Sequence, residues 1–339
     1  MFWDSSPAVG ALPSHAARQP QEGGAGVGWR LVFMGTPAYA VPVLRRLVDL
    51  PDVEAVLVLT RPPAARGRGG RLAPSPVAEA AGALGLPVWT PRRVGPTTEA
   101  RLTRWKPDVA LTAAYGLILP PTVLARFPGG AYNLHASLLP RWRGANPIAW
   151  AIRAGDAETG VSLMRMDAGV DTGPMAAQVR VAVRPDDTTG TLTGRLADAA
   201  AALWAEHWHA VRTGALVATP QVGPVSLAPK DPPGAGRLDF GMPADGLACL
   251  IRSMLPDPGP HTMAGSLRIK VLKAQVDESG WVAGDPGAIR RAGRRTEEWV
   301  VACGSQTALA IQEIQPAGGR AMSPGAFDRG QSAPPTMLA

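Results

Sequence analysis

From Arg30 onward, short apolar runs alternate with helix-length stretches, and this alternation restricts the possible folds more than any other feature of the chain. Arg30-Leu-Val-Phe-Met34 has the unbroken apolar character of a strand buried on both faces. Gly35 follows, then Thr36-Pro37, an N-cap residue with proline at the first helical position, which predicts a helix through about Asp49. Val53 to Thr60 repeats the strand signal, and Ser75-Pro76 repeats the helix start, for a helix to about Leu84. Further strands are predicted at Pro87–Trp89, Asp108–Ala113 and Gly130–Leu134, with a helix from about Thr97 to Trp105 between the first two. Gly160–Met166 and Met175–Val183 also read as strands, and Thr188 caps an Ala-rich helix to about Val211. Strands alternating with helices of this length imply right-handed βαβ units, hence an α/β fold with a Rossmann-like, doubly wound, mostly parallel sheet.

The rhythm stops after Val211. Residues 214–236 mix glycine and proline with small apolar residues, the composition of a connector. Beyond them Arg268–Ala274, Glu298–Cys303 and Ala308–Gln315 are strand-like and separated by Gly and Asp turns, which predicts a small OB-like β-barrel. The first residues are rich in Gly, Ala, Pro and Gln without an apolar core segment. The expected organisation is therefore a disordered extension at 1–28, an α/β domain at 29–212, a linker at 213–232, a barrel at 233–325 and a flexible tail at 326–339.

Composition narrows the function classes. At 339 residues and 46% hydrophobic, the chain can bury two cores, and it has no apolar run near twenty residues, which excludes a membrane-crossing helix. Two cysteines, Cys249 and Cys303, cannot build a disulfide framework and fit a cytoplasmic protein. His207 and His209 fall in a predicted helix, where positions i and i+2 point apart, so no metal site is expected. The net charge of +7 is carried by the first large domain. Such a field suits a polyanionic partner, although a chain with 30 Arg and 4 Lys equally records a GC-rich genome.

Three segments carry side chains with chemistry. In Ala131-Tyr-Asn133-Leu-His135, Asn133 and His135 share one face at the C-terminal end of a parallel strand, where open α/β sheets place their ligands. An amide donor beside an imidazole can hold an oxyanion and move a proton, while the plainer reading is a core histidine with a turn-forming asparagine. Asp167-Ala-Gly169-Val-Asp171-Thr-Gly173 sets two carboxylates among glycines, either a ligand loop or an ordinary Asx turn. Thr60 to Leu72 holds Arg61, Arg66, Arg68 and Arg71 among glycines with no acid, either a phosphate-binding loop or a solvated surface. No GxxxxGK[ST] sequence exists, so nucleotide hydrolysis is not supported.

Together these residues resemble the methionyl-tRNA formyltransferases. The resemblance rests on Phe33-Met-Gly-Thr-Pro37, Ala114-Tyr-Gly-Leu-Ile-Leu-Pro120, Asn133-Leu-His135 with Ser137-Leu-Leu-Pro-Arg-Trp-Arg-Gly144, Gly155-Asp-Ala-Glu-Thr-Gly160 and Met166-Asp-Ala-Gly-Val-Asp-Thr-Gly173. Arg237-Leu-Asp239 and Gln315-Pro-Ala-Gly-Gly-Arg-Ala-Met-Ser323 extend it into the second domain. It implies transfer of a formyl group from 10-formyltetrahydrofolate to the amino group of methionine on initiator methionyl-tRNA. It further implies that 29–212 is the catalytic domain, that 233–325 binds tRNA, and that Asn133, His135 and Asp171 are the catalytic trio. In that scheme Asn133 and an imidazolium at His135 donate to the formyl oxygen, and Asp171 orients His135 and relays the amine's proton.

The resemblance also assigns Ser137, Leu138, Leu139 and Pro140 to the folate side of the cleft and Tyr115, Gly116 and Leu117 to a pterin-pocket wall. Arg66, Arg68, Arg71 and Lys230 are assigned to tRNA. Departures from the family pattern occur at Pro63, Ala64 and Gly70 in the arginine loop and at Gly259 in Asp257-Pro-Gly-Pro260. Two rival functions share parts of this pattern: a small-amine formyltransferase of glycinamide ribonucleotide or amino-sugar type, and a noncatalytic RNA-binding protein. The arginine loop and barrel argue against the first, and the complete trio against the second. The expected partners are tRNA and the folate cosubstrate, without membrane, DNA or metal, and the expected state is a monomer.

Overall fold

The structure is a computed structural model that describes residues 28–66, 70–281, 284–291 and 297–339. Nine strands come first: β1 Trp29–Gly35, β2 Val53–Leu59, β3 Ala64–Arg66, β4 Arg71–Ala73, β5 Val88–Trp89, β6 Val109–Ala113, β7 Ala131–His135, β8 Glu158–Arg165 and β9 Met175–Ala182. Between and after them lie α1 Val41–Val48, α2 Pro76–Ala83, α3 Pro96–Trp105, α4 Pro121–Leu124, α5 Pro147–Arg153 and α6 Thr189–Arg212. Seven strands form one sheet in the order β5-β2-β1-β6-β7-β8-β9. Neighbouring strands from β5 to β7 pair in parallel, whereas β8 runs antiparallel to β7. The order reverses between β1 and β6, so the C-terminal ends of β1, β6 and β7 open side by side at the switch point, the crevice where such sheets bind ligands.

The apolar runs seen in the sequence are the centre of this sheet, with Leu31, Val32, Phe33 and Met34 of β1 and Val109, Ala110 and Leu111 of β6 fully buried. Trp204 and Trp208 of α6 are also buried, 5.9 Å apart between rings, and Trp208 donates its indole N–H to the Pro51 carbonyl at 2.9 Å. Ser75 caps α2 as expected, accepting from the Ala78 amide at 3.0 Å, and Thr188 caps α6, accepting from the Thr191 amide at 3.2 Å. The cap expected at Thr36 is corrected. A 3-10 turn over Ala38–Ala40 precedes α1, and the Thr36 hydroxyl donates to the Tyr115 carbonyl at 2.8 Å, tying the β1 end to the β6 end.

The remaining elements are α7 Ala244–Ser253, β10 His261–Ala264, β11 Leu267–Val276, β12 Ile289–Arg290, β13 Trp299–Cys303, β14 Thr307–Pro316 and α8 Pro324–Arg329. Strands β10-β11-β14-β13-β12 form an antiparallel sheet, and α7 covers it with Leu247 and Ile251 against Ile269, Val271 and Ile311. This small, barrel-like unit is the strand-rich second domain expected. Helix α7, strand β10 and helix α8 were not legible in the sequence.

By contacts the chain divides into two compact units: residues up to Arg143 with Gly160–Arg180 and Arg195–Ser226, and Gly144–Thr159 with Val181–Gly194 and Leu227–Ala339. Residues 213–226 of the expected linker thus belong to the first unit, where paired hydrogen bonds join Met175 and Thr219. The flexible tail expected at 326–339 is also corrected. Its end pairs with Met263, Gly287 and Ile289 through backbone hydrogen bonds, and Leu338 is buried in the second core. Leu338→Ala should lower stability by about 2–4 kcal/mol in urea unfolding, the cost of emptying a buried leucine site; a loss under about 0.5 kcal/mol would mean the tail is not docked. The expectation of a disordered extension at 1–28 falls outside the described residues, which begin at Gly28.

Candidate active site

The site begins at the end of β7. Parallel pairing with β6 sets Asn133 beside Thr112, and antiparallel pairing with β8 sets His135 beside Ser162. Two residues apart on one strand, Asn133 and His135 share a face, and both reach the same carboxylate. Asn133 Nδ2 donates to Asp171 Oδ1 at 3.3 Å, and His135 Nδ1 lies 3.4 Å from the same oxygen. The pair is largely removed from water, with His135 6% and Asp171 12% exposed at the side chain. Three side chains from two stretches of sequence therefore meet at one point, as expected.

His135 Nε2 lies 2.8 Å from the Trp142 carbonyl oxygen. A carbonyl can only accept, so Nε2 carries a proton, and the nitrogen facing the carboxylate is Nδ1. Both ring nitrogens are thus engaged by the protein. With both nitrogens occupied, the expectation that His135 donates directly to the formyl oxygen is not met in this arrangement: the imidazole lies between the Trp142 carbonyl and Asp171. Asn133 keeps the second hydrogen of its amide for a ligand.

The two carboxylates of the second segment divide their roles. Asp167 Oδ1 accepts from the Gly169 amide at 3.0 Å and the Thr172 hydroxyl at 2.7 Å, the Asx turn of the plainer reading. Asp171 is the one turned to the site, and its backbone is left-handed at φ 54°. Trp142 is left-handed too, at φ 61°, which is rare for a bulky residue. Gln221 spans these loops. Its Nε2 donates to the carbonyls of Asp171 and Gly173, each at 2.9 Å, and its Oε1 accepts from Arg143 Nε at 3.1 Å and Nη2 at 2.7 Å. Ser226 Oγ accepts from the Trp142 amide at 2.9 Å. Sequence reasoning missed Gln221 and Ser226 because the surrounding glycine and proline read as connector; a lone glutamine there was the only available signal.

The residues expected on the folate side are mostly turned inward. Ser137 is fully buried and donates to the Arg141 carbonyl at 2.6 Å, and Leu139 and Pro140 are buried as well. They shape the loop, and Leu138 is the half-exposed member. Tyr115 is 2% exposed in a core with Leu102 and Trp105, so it anchors the loop expected to form the pterin-pocket wall through its buried ring. Its hydroxyl has no hydrogen-bond partner among the described residues, and burial pushes it up to about 12 against the opposing influence of Arg61. Gly116 and Leu117 continue the loop to Ile118, which is 75% exposed, and Val170 beside Asp171 is 58% exposed.

Strands β3 and β4 flank the arginine-rich segment. They pair in register, setting Arg66 opposite Arg71, and Arg71 and Leu72 are exposed. Arg68 lies outside the described residues. Lys230, in the second unit, is exposed. Among the described residues no group of three or more His, Cys, Asp or Glu could hold a metal, and no helix is long and apolar enough to cross a membrane.

An amide, an imidazole and a carboxylate converge at the C-terminal end of β7, beside the switch point of the sheet, in a chain that also carries a strand-rich second unit. The family model for formyl transferase matches residues 30–207 and that for the formyl transferase C-terminal domain matches 232–332, so the chain belongs to this family. Within it the chain belongs with the methionyl-tRNA formyltransferases. The protein of that name from Methylobacterium sp. (strain 4-46) is 44% identical over 312 residues, 90% of this chain and 97% of its own. That from Paracoccus denitrificans is 43% identical over 307 residues, 90% and 98%. Among solved structures, the N-formyltransferase from Helicobacter canadensis in complex with folinic acid and dTDP-3-aminofucose aligns with TM-score 0.64 at 16% identity, over 84% of this chain and 99% of that one. The sugar 3N-formyl transferase WlaRD, solved with dTDP and 5-N-formyl-THF, aligns at 0.62 and 14% identity, over 85% and 98%. At such identities these two support the fold alone.

Proposed function

We propose that the protein formylates the amino group of methionine on initiator methionyl-tRNA, with 10-formyltetrahydrofolate as donor, acting as a monomer in the cytoplasm. The convergence of Asn133 and His135 on Asp171 Oδ1 at 3.3 and 3.4 Å carries this reading. The full-length likeness to methionyl-tRNA formyltransferases selects the acceptor.

The donor fits the residues present. Ile118 and Val170 stand exposed on the loops that also hold Gly116, Leu117 and Asp171, apolar side chains of the kind a flat heteroaromatic ring requires. The folate supplies an activated formyl group. A free α-amino group titrates at about 7.7–8.0, so the attacking amine needs little activation. As the new C–N bond forms, Asn133 donates its second N–H to the formyl oxygen, which is gaining negative charge. His135, held between the Trp142 carbonyl and Asp171, keeps that carboxylate directed toward the reacting groups. Asp171 takes the proton released by the attacking nitrogen and passes it, through water, to the leaving N10, whose bond to the formyl carbon then breaks.

The arginines of the segment Thr60 to Leu72 are assigned to the tRNA acceptor end and Lys230 to a further phosphate. Guanidinium groups without neighbouring acids gain affinity by displacing counterions from phosphates. Arg68→Ala and Arg71→Ala should each weaken methionyl-tRNA binding and flatten the slope of log Kd against log salt by roughly 0.7–0.9. An unchanged slope would remove phosphate contact from the role of that arginine.

The function is tested by incubating the protein with donor labelled in the formyl group and methionyl-tRNA, then deacylating the tRNA. Label recovered as N-formylmethionine supports the reading, and label that never reaches methionine contradicts it.

A further inference from the structure

Residues 221–226 touch both partners of His135. At one end Gln221 holds the loop of Asp171, which faces Nδ1; at the other Ser226 holds Trp142, whose carbonyl accepts from Nε2. The Ser226 carbonyl also accepts from the Arg143 amide at 2.9 Å, and the Arg143 guanidinium returns to Gln221. The circuit is closed, and all its members belong to the first unit.

We infer that this segment is a strap that sets the separation of Asp171 from His135, with Gln221 its positioning residue. The role rests on the proposed use of the Asn133-His135-Asp171 site for formyl transfer. Gln221 and Ser226 act through the backbone of Asp171, Gly173 and Trp142 and through Arg143.

The amide of Gln221 can sit only one way round. Its two hydrogens meet two carbonyls and its oxygen meets two guanidinium donors, so every strong valence is used. Turned over, the oxygen would face the carbonyls of Asp171 and Gly173, and the amino group would face Arg143. Both backbones that the strap grips are left-handed at non-glycine residues, Asp171 and Trp142, conformations that persist only where the surroundings impose them. Releasing Asp171 from φ 54° redirects the side chain that Asn133 and His135 now meet.

Glutamate at 221 separates this role from simple space filling. It is the same size and keeps the Arg143 contact, yet it faces two carbonyl oxygens with an acceptor. A positioning role predicts that Gln221→Glu is at least as damaging as Gln221→Ala. Either variant should lower the single-turnover formylation rate by about 20–100-fold while donor and tRNA dissociation constants change less than about 3-fold, because a displacement near 1 Å costs that much in a preorganised site. Ser226→Ala should lower the rate by about 5–20-fold, and Ser226→Thr, which keeps the accepting oxygen, should restore it to within about 2-fold.

The second readout needs no substrate. In ¹⁵N-histidine-labelled protein, the ring signals of His135, assigned with His135→Gln, should move at Nδ1 in Gln221→Ala and at Nε2 in Ser226→Ala. They should return to wild-type positions in Ser226→Thr. Unmoved Nδ1 signals in Gln221→Ala, or a rate loss shared equally between binding and turnover, would overturn the inference. If the wild-type protein failed to formylate methionyl-tRNA, the proposed function would fall, while the ring signals would still decide whether the strap holds Asp171.

Discussion

Asn133→Ala lowers turnover by at least on the order of 100-fold, near 3 kcal/mol of transition-state stabilisation, with the melting temperature almost unchanged. The amide stands half-buried at the end of β7 with one hydrogen on Asp171, and in the proposed mechanism the other goes to the formyl oxygen. Its loss removes a donor aimed at charge that exists only during reaction, so kcat should fall and KM should hold. His135→Ala is expected to cost a comparable factor by a different route. It leaves the Trp142 carbonyl without its ring donor and removes the imidazole 3.4 Å from Asp171 Oδ1, one of the groups that direct the carboxylate. Measured by single turnover with saturating substrates, near-normal rates in either folded variant would remove that residue from the mechanism.

Gly173→Ala is the second large effect. A Cβ at this position would lie 1.9 Å from the Arg165 carbonyl oxygen, a backbone atom at the end of β8 that cannot turn aside. The neighbouring Pro174 carbonyl accepts from the Arg165 amide at 2.9 Å, which anchors the same crossing from the other side. The loop must move, and it carries Asp171 two residues away. A turnover loss of about 100-fold is expected, with destabilisation of about 2–3 kcal/mol. Gly194→Ala is the control: the added Cβ meets nothing within 4 Å inside α6, so it should stabilise by about 0.5–1 kcal/mol through helix propensity. Equal behaviour of the two variants in thermal melts and turnover would mean the close approach at Gly173 is not real.

How much of this was readable beforehand depends on where the determining force lies. Buried parallel strands announce themselves because both faces must be apolar, so β1 and β6 were visible as unbroken runs. Ser75 and Thr188 were visible because a capping hydroxyl acts within its own turn. Thr36 offered the same local pattern and was misread, because a carbonyl 79 residues away claimed its hydroxyl. The tail failed for the same reason: Leu338 is held by a core assembled from β11, β13 and β14, and nothing local records that. At the site, strand alternation was enough to put Asn133 and His135 on one face. The second bond of His135 was invisible, since its acceptor is a backbone carbonyl, and backbone groups carry no sequence. Gln221 was hidden by its neighbours, whose composition says connector while their hydrogen bonds say clamp.

The central claim is that this trio formylates an amine carried by initiator tRNA. It is tested most directly by offering labelled donor in parallel reactions to charged initiator tRNA, elongator methionyl-tRNA and glycinamide ribonucleotide. The account predicts rapid labelling of the initiator, far slower labelling of the elongator and none of the nucleotide, with every signal abolished in Asp171→Ala. Label on the small amine alone would contradict it.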